Sequence, residues 1–231
     1  MQESDAEDFP CLRSALDALY VTFGSGAGSE NRQSGSVRVG SLLPPGEANF
    51  DSFMSGIMRL ENIGLHKEML PSVLELLGKE VVDSADYAWL IMNGIAVYWQ
   101  DWPEGERAAI QVFMRAWWRA TLSEFPRRLD VFQFFNIIGT MKIDVYPYLS
   151  YWENCADRPA VRHLAWLVTD FTVHGASNAR WYDELESWID SVAPRRILEA
   201  ALSADPDAVV AQEISSALNI MRSWGRGEDG N

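Results

Sequence analysis

Apolar residues recur along most of this chain at intervals of three and four positions. In residues 10–23 the apolar set is Leu12, Leu16, Leu19, Tyr20 and Phe23, which is the spacing of one face of an α-helix. The same period predicts further helices, in chain order at roughly 47–60, 65–79, 84–100, 103–124, 129–140, 144–154, 159–174, 178–191, 195–203 and 206–224. Apart from the short SVRVG at 36–40, no window alternates like a β-strand. The pattern therefore predicts an all-α fold of about ten helices.

Tryptophan and proline residues mark three of the predicted turns. A tryptophan ends one helix and a proline opens the next, in the pairs Trp99 with Pro103, Trp152 with Pro159, and Trp188 with Pro194. Asp101 and Glu104 flank the first of these prolines with the D-x-x-E spacing of a capping box. The intervals between the prolines are too uneven for a strict solenoid. We expect an irregular, HEAT-like stack of antiparallel helix hairpins.

The segment after the first predicted helix has the composition of a linker. Residues 24–46 open with GSGAGSENRQSGS and carry no apolar stripe, which predicts a flexible Gly/Ser-rich loop. The glycine spacing in this loop does not match a dinucleotide-binding or phosphate-binding motif. A length of 231 residues allows one large domain or two small ones, and we expect a single all-α domain over residues 1–231.

The richest aromatic stretch is YWQDWPEGERAAIQVFMRAWWRATL, residues 98–122. Trp117 continues the inward set of this helix, whereas Trp118 is turned by about 100° and either flanks a neighbouring helix or reaches the surface. Packing between helices is the ordinary role of such indoles. The alternative is an aromatic binding surface around Trp118 and Trp102.

Composition and charge narrow the kinds of partner. The chain has 33 acidic and 19 basic residues and a net charge of −14, which argues against nucleic-acid binding and favours a basic protein partner. The longest uncharged run, residues 87–100, is too short to span a bilayer, so no membrane association is expected. Cys11 and Cys155 form no disulfide framework, and the acidic N-terminus has no signal-peptide pattern. We expect a cytoplasmic protein; its excess of arginine over lysine is typical of a GC-rich bacterial genome.

The densest acidic cluster lies in DELESWID. Asp183, Glu186 and Asp190 fall on one helix face at i, i+3 and i+7, and Glu184 lies beside them; the first three residues are called the acidic strip below. Trp181, Leu185, Trp188 and Ile189 are predicted to face inward, and Arg180 is the nearest cation for Asp183. A charged face of this kind is ordinarily only solvated, and the functional alternative is a docking strip for a basic partner.

Candidate metal ligands are few. His163, Asp170 and His174 share a helix face, but the two histidines lie about 16 Å apart along the axis. Asp170 and His174 have i, i+4 spacing, so they can supply two ligands, and a zinc site needs a third from elsewhere. The alternative is a structural His–Asp pair near a helix end. No cofactor is predicted.

Four strings resemble a family of bacterial proteins to which no activity is assigned. They are DWPEGERAAIQVFMRAWW, LRSALDALYVTF, MLPSVLELL and YPYLSYW, and the family shows W-x-x-W-P-x-x-E-R-x-A followed by an apolar helix ending in tryptophan. The resemblance covers most of the chain and implies an all-helical fold and a bacterial origin. Family members often carry a close cysteine pair after the first helix, and residues 24–46 contain none.

These observations favour a non-catalytic protein-interaction module. More specifically, the protein could be an acidic inhibitor of the immunity type, which masks a basic toxin or nuclease. The alternative is a metal-dependent enzyme that uses Asp170 and His174. The sequence leaves the oligomeric state open.

Overall fold

A computed structural model describes residues 9–24, 67, 69–81, 85–155, 157–171, 179–204 and 207–224. The predicted helix 47–60, the predicted loop apart from Gly24, and His174 lie outside these residues.

The fold is all-α, as predicted. Of the described residues 82% are helical and none is in a strand. The helices in this part of the chain are α1 (Leu12–Gly24), α2 (Leu70–Gly78), α3 (Ala85–Val97), α4 (Glu104–Ser123), α5 (Val131–Thr140), α6 (Tyr146–Glu153), α7 (Arg158–Phe171), α8 (Arg180–Asp190), α9 (Val192–Ser203) and α10 (Ala208–Trp224). None of these helices combines the length and apolar character needed to cross a bilayer.

The chain divides into two compact units, Met1–Ala120 and Thr121–Asn231, where the sequence analysis expected one domain. In the first unit α1 packs against α2. The Tyr20 hydroxyl joins them by donating to Glu75 Oε2 at 2.6 Å, and it lies 3.2 Å from Ser72 Oγ. Burial and this hydrogen bond to Glu75 raise the pKa of Tyr20 to about 12, so the phenol stays protonated at neutral pH.

The capping box predicted at Asp101 and Glu104 is wrong. Asp101 ends a short 3-10 helix, Trp99–Asp101, and the Pro103 carbonyl accepts the N–H groups of Glu106 and Arg107 at the start of α4. A capping box does occur at the start of α5. There the Asp130 carboxylate accepts from the Gln133 N–H at 2.8 Å, and the Gln133 side chain accepts from the Asp130 N–H at 3.1 Å.

The second unit is built around α7. This helix packs most extensively against α10 and also contacts α5 and α9. Arg162 of α7 and Glu213 of α10 form a two-point ion pair, with Nε to Oε2 at 2.8 Å and Nη2 to Oε1 at 2.6 Å. The helix stack is therefore irregular, because α7 has its main partner three helices later in the chain.

Two of the tryptophans that mark predicted turns meet in the core of this unit. The rings of Trp152 and Trp188 stack with centroids 5.4 Å apart and an interplanar angle of 27°. Trp152 Nε1 donates to the Ala160 carbonyl at 3.0 Å, and Trp188 Nε1 donates to Glu153 Oε1 at 2.7 Å. Each indole thus buries its ring while its polar N–H keeps a partner, which ties α6 to both α7 and α8.

Candidate docking surface on helix α8

One face of α8 is fixed in the core of the second unit. Its buried residues are Trp181, Tyr182, Leu185, Trp188 and Ile189, so the predicted inward set is confirmed. Tyr182 stacks on Phe171 of α7 with ring centroids 4.8 Å apart, and Phe132 of α5 meets the Trp181 ring edge-on at 5.5 Å. Aromatic contacts from two neighbouring helices therefore set the rotation of α8 about its axis.

The contact between α8 and α5 depends on a glycine. Gly139 lies in the last turns of α5, and a Cβ added there would lie 1.9 Å from Cδ1 of Trp181. Real Cβ atoms do not approach other atoms this closely, so any side chain at residue 139 must displace the indole. The absence of a side chain at Gly139 is what allows the Trp181 ring to pack against α5.

This packing leaves the acidic strip in solvent. Asp183, Glu186 and Asp190 are all exposed, and they occupy an arc of about 60° on the helix surface over a length of about 10 Å. Among the residues that the structure describes, these three carboxylates make no ion pair. Three like charges on successive turns of a fixed helix create a local negative field that no ion pair within the described ranges neutralises.

The cation nearest to Asp183 in the sequence is paired with another residue. Arg180 Nε donates to Glu184 Oε1 at 2.6 Å, so the predicted pairing of Arg180 with Asp183 is wrong. The reason is helical geometry, because residue 184 is turned only about 40° from residue 180, whereas residue 183 is turned about 60° to the other side. Glu184 is half-buried and belongs to this flanking pair, and its carboxylate raises the pKa of the exposed Arg180 guanidinium. Arg180 offsets the charge of Glu184, and a part for Glu184 in binding a partner stays a prediction.

The aromatic binding surface predicted around Trp118 and Trp102 is wrong. Trp118 is fully buried and Trp102 is 4% exposed. Helix α4 buries a wider face than one apolar stripe, with Ile110, Phe113, Met114, Ala116, Trp117, Trp118 and Leu122 all enclosed. Trp102 meets Phe23 edge-on at 6.0 Å, and the Lys67 ammonium lies 4.5 Å above its ring. Both indoles are packing residues.

Two tryptophans that are exposed in the described part of the chain were not predicted from the sequence. Trp166 of α7 is 49% exposed and Trp89 of α3 is 39% exposed. Trp166 follows Arg162 by four residues, so the two side chains lie on the same face of α7. This spacing from a charged residue is the feature of the sequence that could have indicated the exposure of Trp166.

Of the two candidate metal ligands, Asp170 and His174, only Asp170 lies within the described residues. Asp170 is half-buried on α7, and His174 lies outside the described residues. His163 points elsewhere, with Nε2 2.8 Å from the Glu124 carbonyl. Within the described ranges no group of three His, Cys, Asp or Glu side chains is placed to hold a metal ion. A site built on Asp170 and His174 stays a prediction.

Comparison of the chain with protein-family models, with curated proteins and with solved structures gives no match. The resemblance to the W-x-x-W-P-x-x-E-R-x-A family stays a prediction, and the functional argument rests on the surface of α8.

Proposed function

We propose that this protein is a non-catalytic, cytoplasmic interaction module that binds a basic protein partner through the acidic strip of α8. The observation that carries the proposal is that Asp183, Glu186 and Asp190 are exposed, lie in one narrow arc and have no ion-pair partner among the described residues. A basic partner supplies the missing counter-charges.

The energetics of the strip support a binding role. Like charges one turn apart on a helix cost a few tenths of a kcal/mol per pair, and Arg180, the nearest cation, contributes its charge to Glu184 instead. Asp183 lies in the first turn of α8, where the helix dipole favours a carboxylate, but Glu186 and Asp190 gain no such stabilisation. On a chain of net charge −14 it adds a local field that raises the rate at which a basic protein associates.

The rigidity of α8 also favours this role. Five large side chains fix the opposite face of the helix, so the carboxylates need no backbone ordering when a partner binds. A preorganised strip of this kind suits an inhibitor that masks the basic surface of a toxin or nuclease. We also propose that the protein is bacterial, as the family resemblance implies.

Charge reversal tests the role of the strip. The triple substitution Asp183→Lys, Glu186→Lys and Asp190→Lys is expected to weaken capture of the native partner by about tenfold or more, because it replaces attraction by repulsion. Circular dichroism is expected to show an unchanged helical signal, since all three side chains are exposed. Binding of the wild-type protein should also weaken steeply between low and physiological salt, because exposed charges are screened beyond about 8–10 Å.

A matched control separates the strip from net charge. Asp17, Asp101 and Glu199 are exposed carboxylates outside the strip, and their triple substitution by lysine also changes the net charge from −14 to −8. This control is expected to retain capture. Equal loss of partner capture in both triple variants would show that only net charge matters. Full capture by both variants would show that the strip is only a solvated face of the helix.

A further inference from the structure

Helix α3 is apolar on more than one face. The sequence from Tyr87 to Gln100, which includes most of this helix, carries no charged residue. One face is enclosed in the first unit, and its buried residues are Ala88, Ile91, Met92 and Ile95. A helix that is apolar all round is normally buried on all sides, whereas the other side of α3 is only partly covered.

Three large apolar side chains lie on that other side. Trp89 is 39% exposed, Val97 is 58% exposed, and Leu90 is half-buried. At 100° and 1.5 Å per residue they fall within an arc of about 100° and a length of about 12 Å. These three residues are called the outer face of α3 below. Covering this apolar surface would be favourable, because it removes the surface from water.

Lys67 lies beside the C-terminal end of α3. Its ammonium is 4.5 Å from the centre of the Trp102 ring and pairs with Glu106. The Trp102 ring in turn lies 6.4 Å, between centroids, from the ring of Trp99, two residues beyond Val97. The seven residues from Leu60 to Lys67 span about 25 Å at most, and α3 is about 20 Å long. The chain that precedes Leu60 is therefore within reach of the whole outer face.

The sequence in that part of the chain has a matching pattern. Residues 47–60, which lie outside the described residues, have apolar side chains at i, i+3, i+4 and i+7, namely Phe50, Phe53, Met54 and Ile57. The polar residues Asp51, Ser52, Ser55 and Arg59 fall on the opposite side of a helix. A helix of this length is marginal in water unless its apolar face packs against another element.

We propose that the outer face of α3 is a docking surface for residues 47–60 of the same chain. A second copy of the chain is less suited to it. The three side chains offer on the order of 200–300 Å² of apolar surface, whereas each partner in a stable interface buries roughly 800 Å². A segment of the same chain acts at an effective concentration on the order of millimolar, so a smaller contact suffices. The proposal is independent of the acidic strip, which lies in the second unit.

Crosslinking from Val97 tests this proposal. A photoreactive phenylalanine analogue replaces Val97 in the whole protein, and the crosslinked peptides are mapped by mass spectrometry. An equal mixture of isotope-labelled and unlabelled protein separates crosslinks within a chain from those between copies. The expected result is a crosslink within one chain to residues 47–60. A crosslink only to a second copy or only to another segment, or no crosslink at all, would overturn the proposal.

Two double variants test the role of the apolar stripe in the same assay. Phe53→Asp with Ile57→Asp is expected to lower the crosslink yield about fivefold or more, because a carboxylate is costly to bury against apolar side chains. Ser52→Asp with Ser55→Asp adds the same charge on the opposite side and is expected to keep the yield. Equal yields from the two double variants would overturn the proposal. If the first variant does not fold, the crosslink map of the otherwise unchanged protein decides alone.

Discussion

Replacing Trp152 with alanine is expected to lower the free energy of unfolding by about 3–5 kcal/mol. The Trp152 ring is fully buried, it stacks on Trp188, and its N–H donates to the Ala160 carbonyl. Truncation removes the buried apolar surface of the ring and leaves a cavity against Trp188. It also removes the hydrogen bond that joins α6 to α7. Denaturant unfolding followed by circular dichroism at 222 nm measures the change.

The matched control is Trp166→Ala on α7. It removes the same side chain from a position that is 49% exposed, so we expect a smaller loss of about 2 kcal/mol or less. A loss for Trp152→Ala as small as that expected for Trp166→Ala would contradict the placement of Trp152 in the core of the second unit.

Gly139→Ala is the second change with a large expected effect. Alanine is the better helix former by about 1 kcal/mol, yet the new Cβ would lie 1.9 Å from the Trp181 ring. Overpacking of this kind costs about 1–3 kcal/mol, and an approach of 1.9 Å lies at the severe end of that range, so we expect a net loss of up to about 2 kcal/mol. The change is measured by the same denaturant unfolding, and the near-UV dichroism of the tryptophans should change with it.

Two further variants test whether the clash with Trp181 causes the loss of stability in Gly139→Ala. Gly105→Ala, in the first turn of α4, has no atom within 4 Å of its added Cβ and is expected to be neutral or stabilising. In a double-mutant cycle, Trp181→Ala should remove most of the extra cost of Gly139→Ala, because the clashing ring is gone. Additive losses in that cycle would contradict the packing of Trp181 on Gly139.

Much of the fold was predictable because helix periodicity is a local signal. Helices α4 and α8 begin and end within one or two residues of the predicted bounds. The start of α9 was placed too late, at 195, because Pro194 was taken as a boundary. The helix in fact begins at Val192, where Ser191 is its N-cap, and Pro194 is tolerated in the first turn because no intrahelical donor is required there.

The surface was predicted less completely because exposure depends on tertiary packing. The orientation of the acidic strip follows from the inward residues of α8, so the sequence sufficed for it. The burial of Trp102 required Phe23 and Lys67, which lie far away in sequence. Glu184 and Asp183 are turned about 40° and 60° from Arg180 on opposite sides of the helix, and spacing alone did not decide which of them Arg180 would pair with.

Photo-crosslinking from the acidic strip tests directly whether a partner binds there. Ser187 is exposed beside Asp183, and a photoreactive phenylalanine analogue at that position, introduced in the source organism, would lie within reach of any bound partner. The account predicts a crosslink to a basic segment of one protein, which is lost when Asp183, Glu186 and Asp190 are replaced by lysine. The same analogue at Val209, exposed on α10, is the control. A partner that crosslinks from Val209 and not from Ser187, or that crosslinks from Ser187 equally well after charge reversal, would contradict the account.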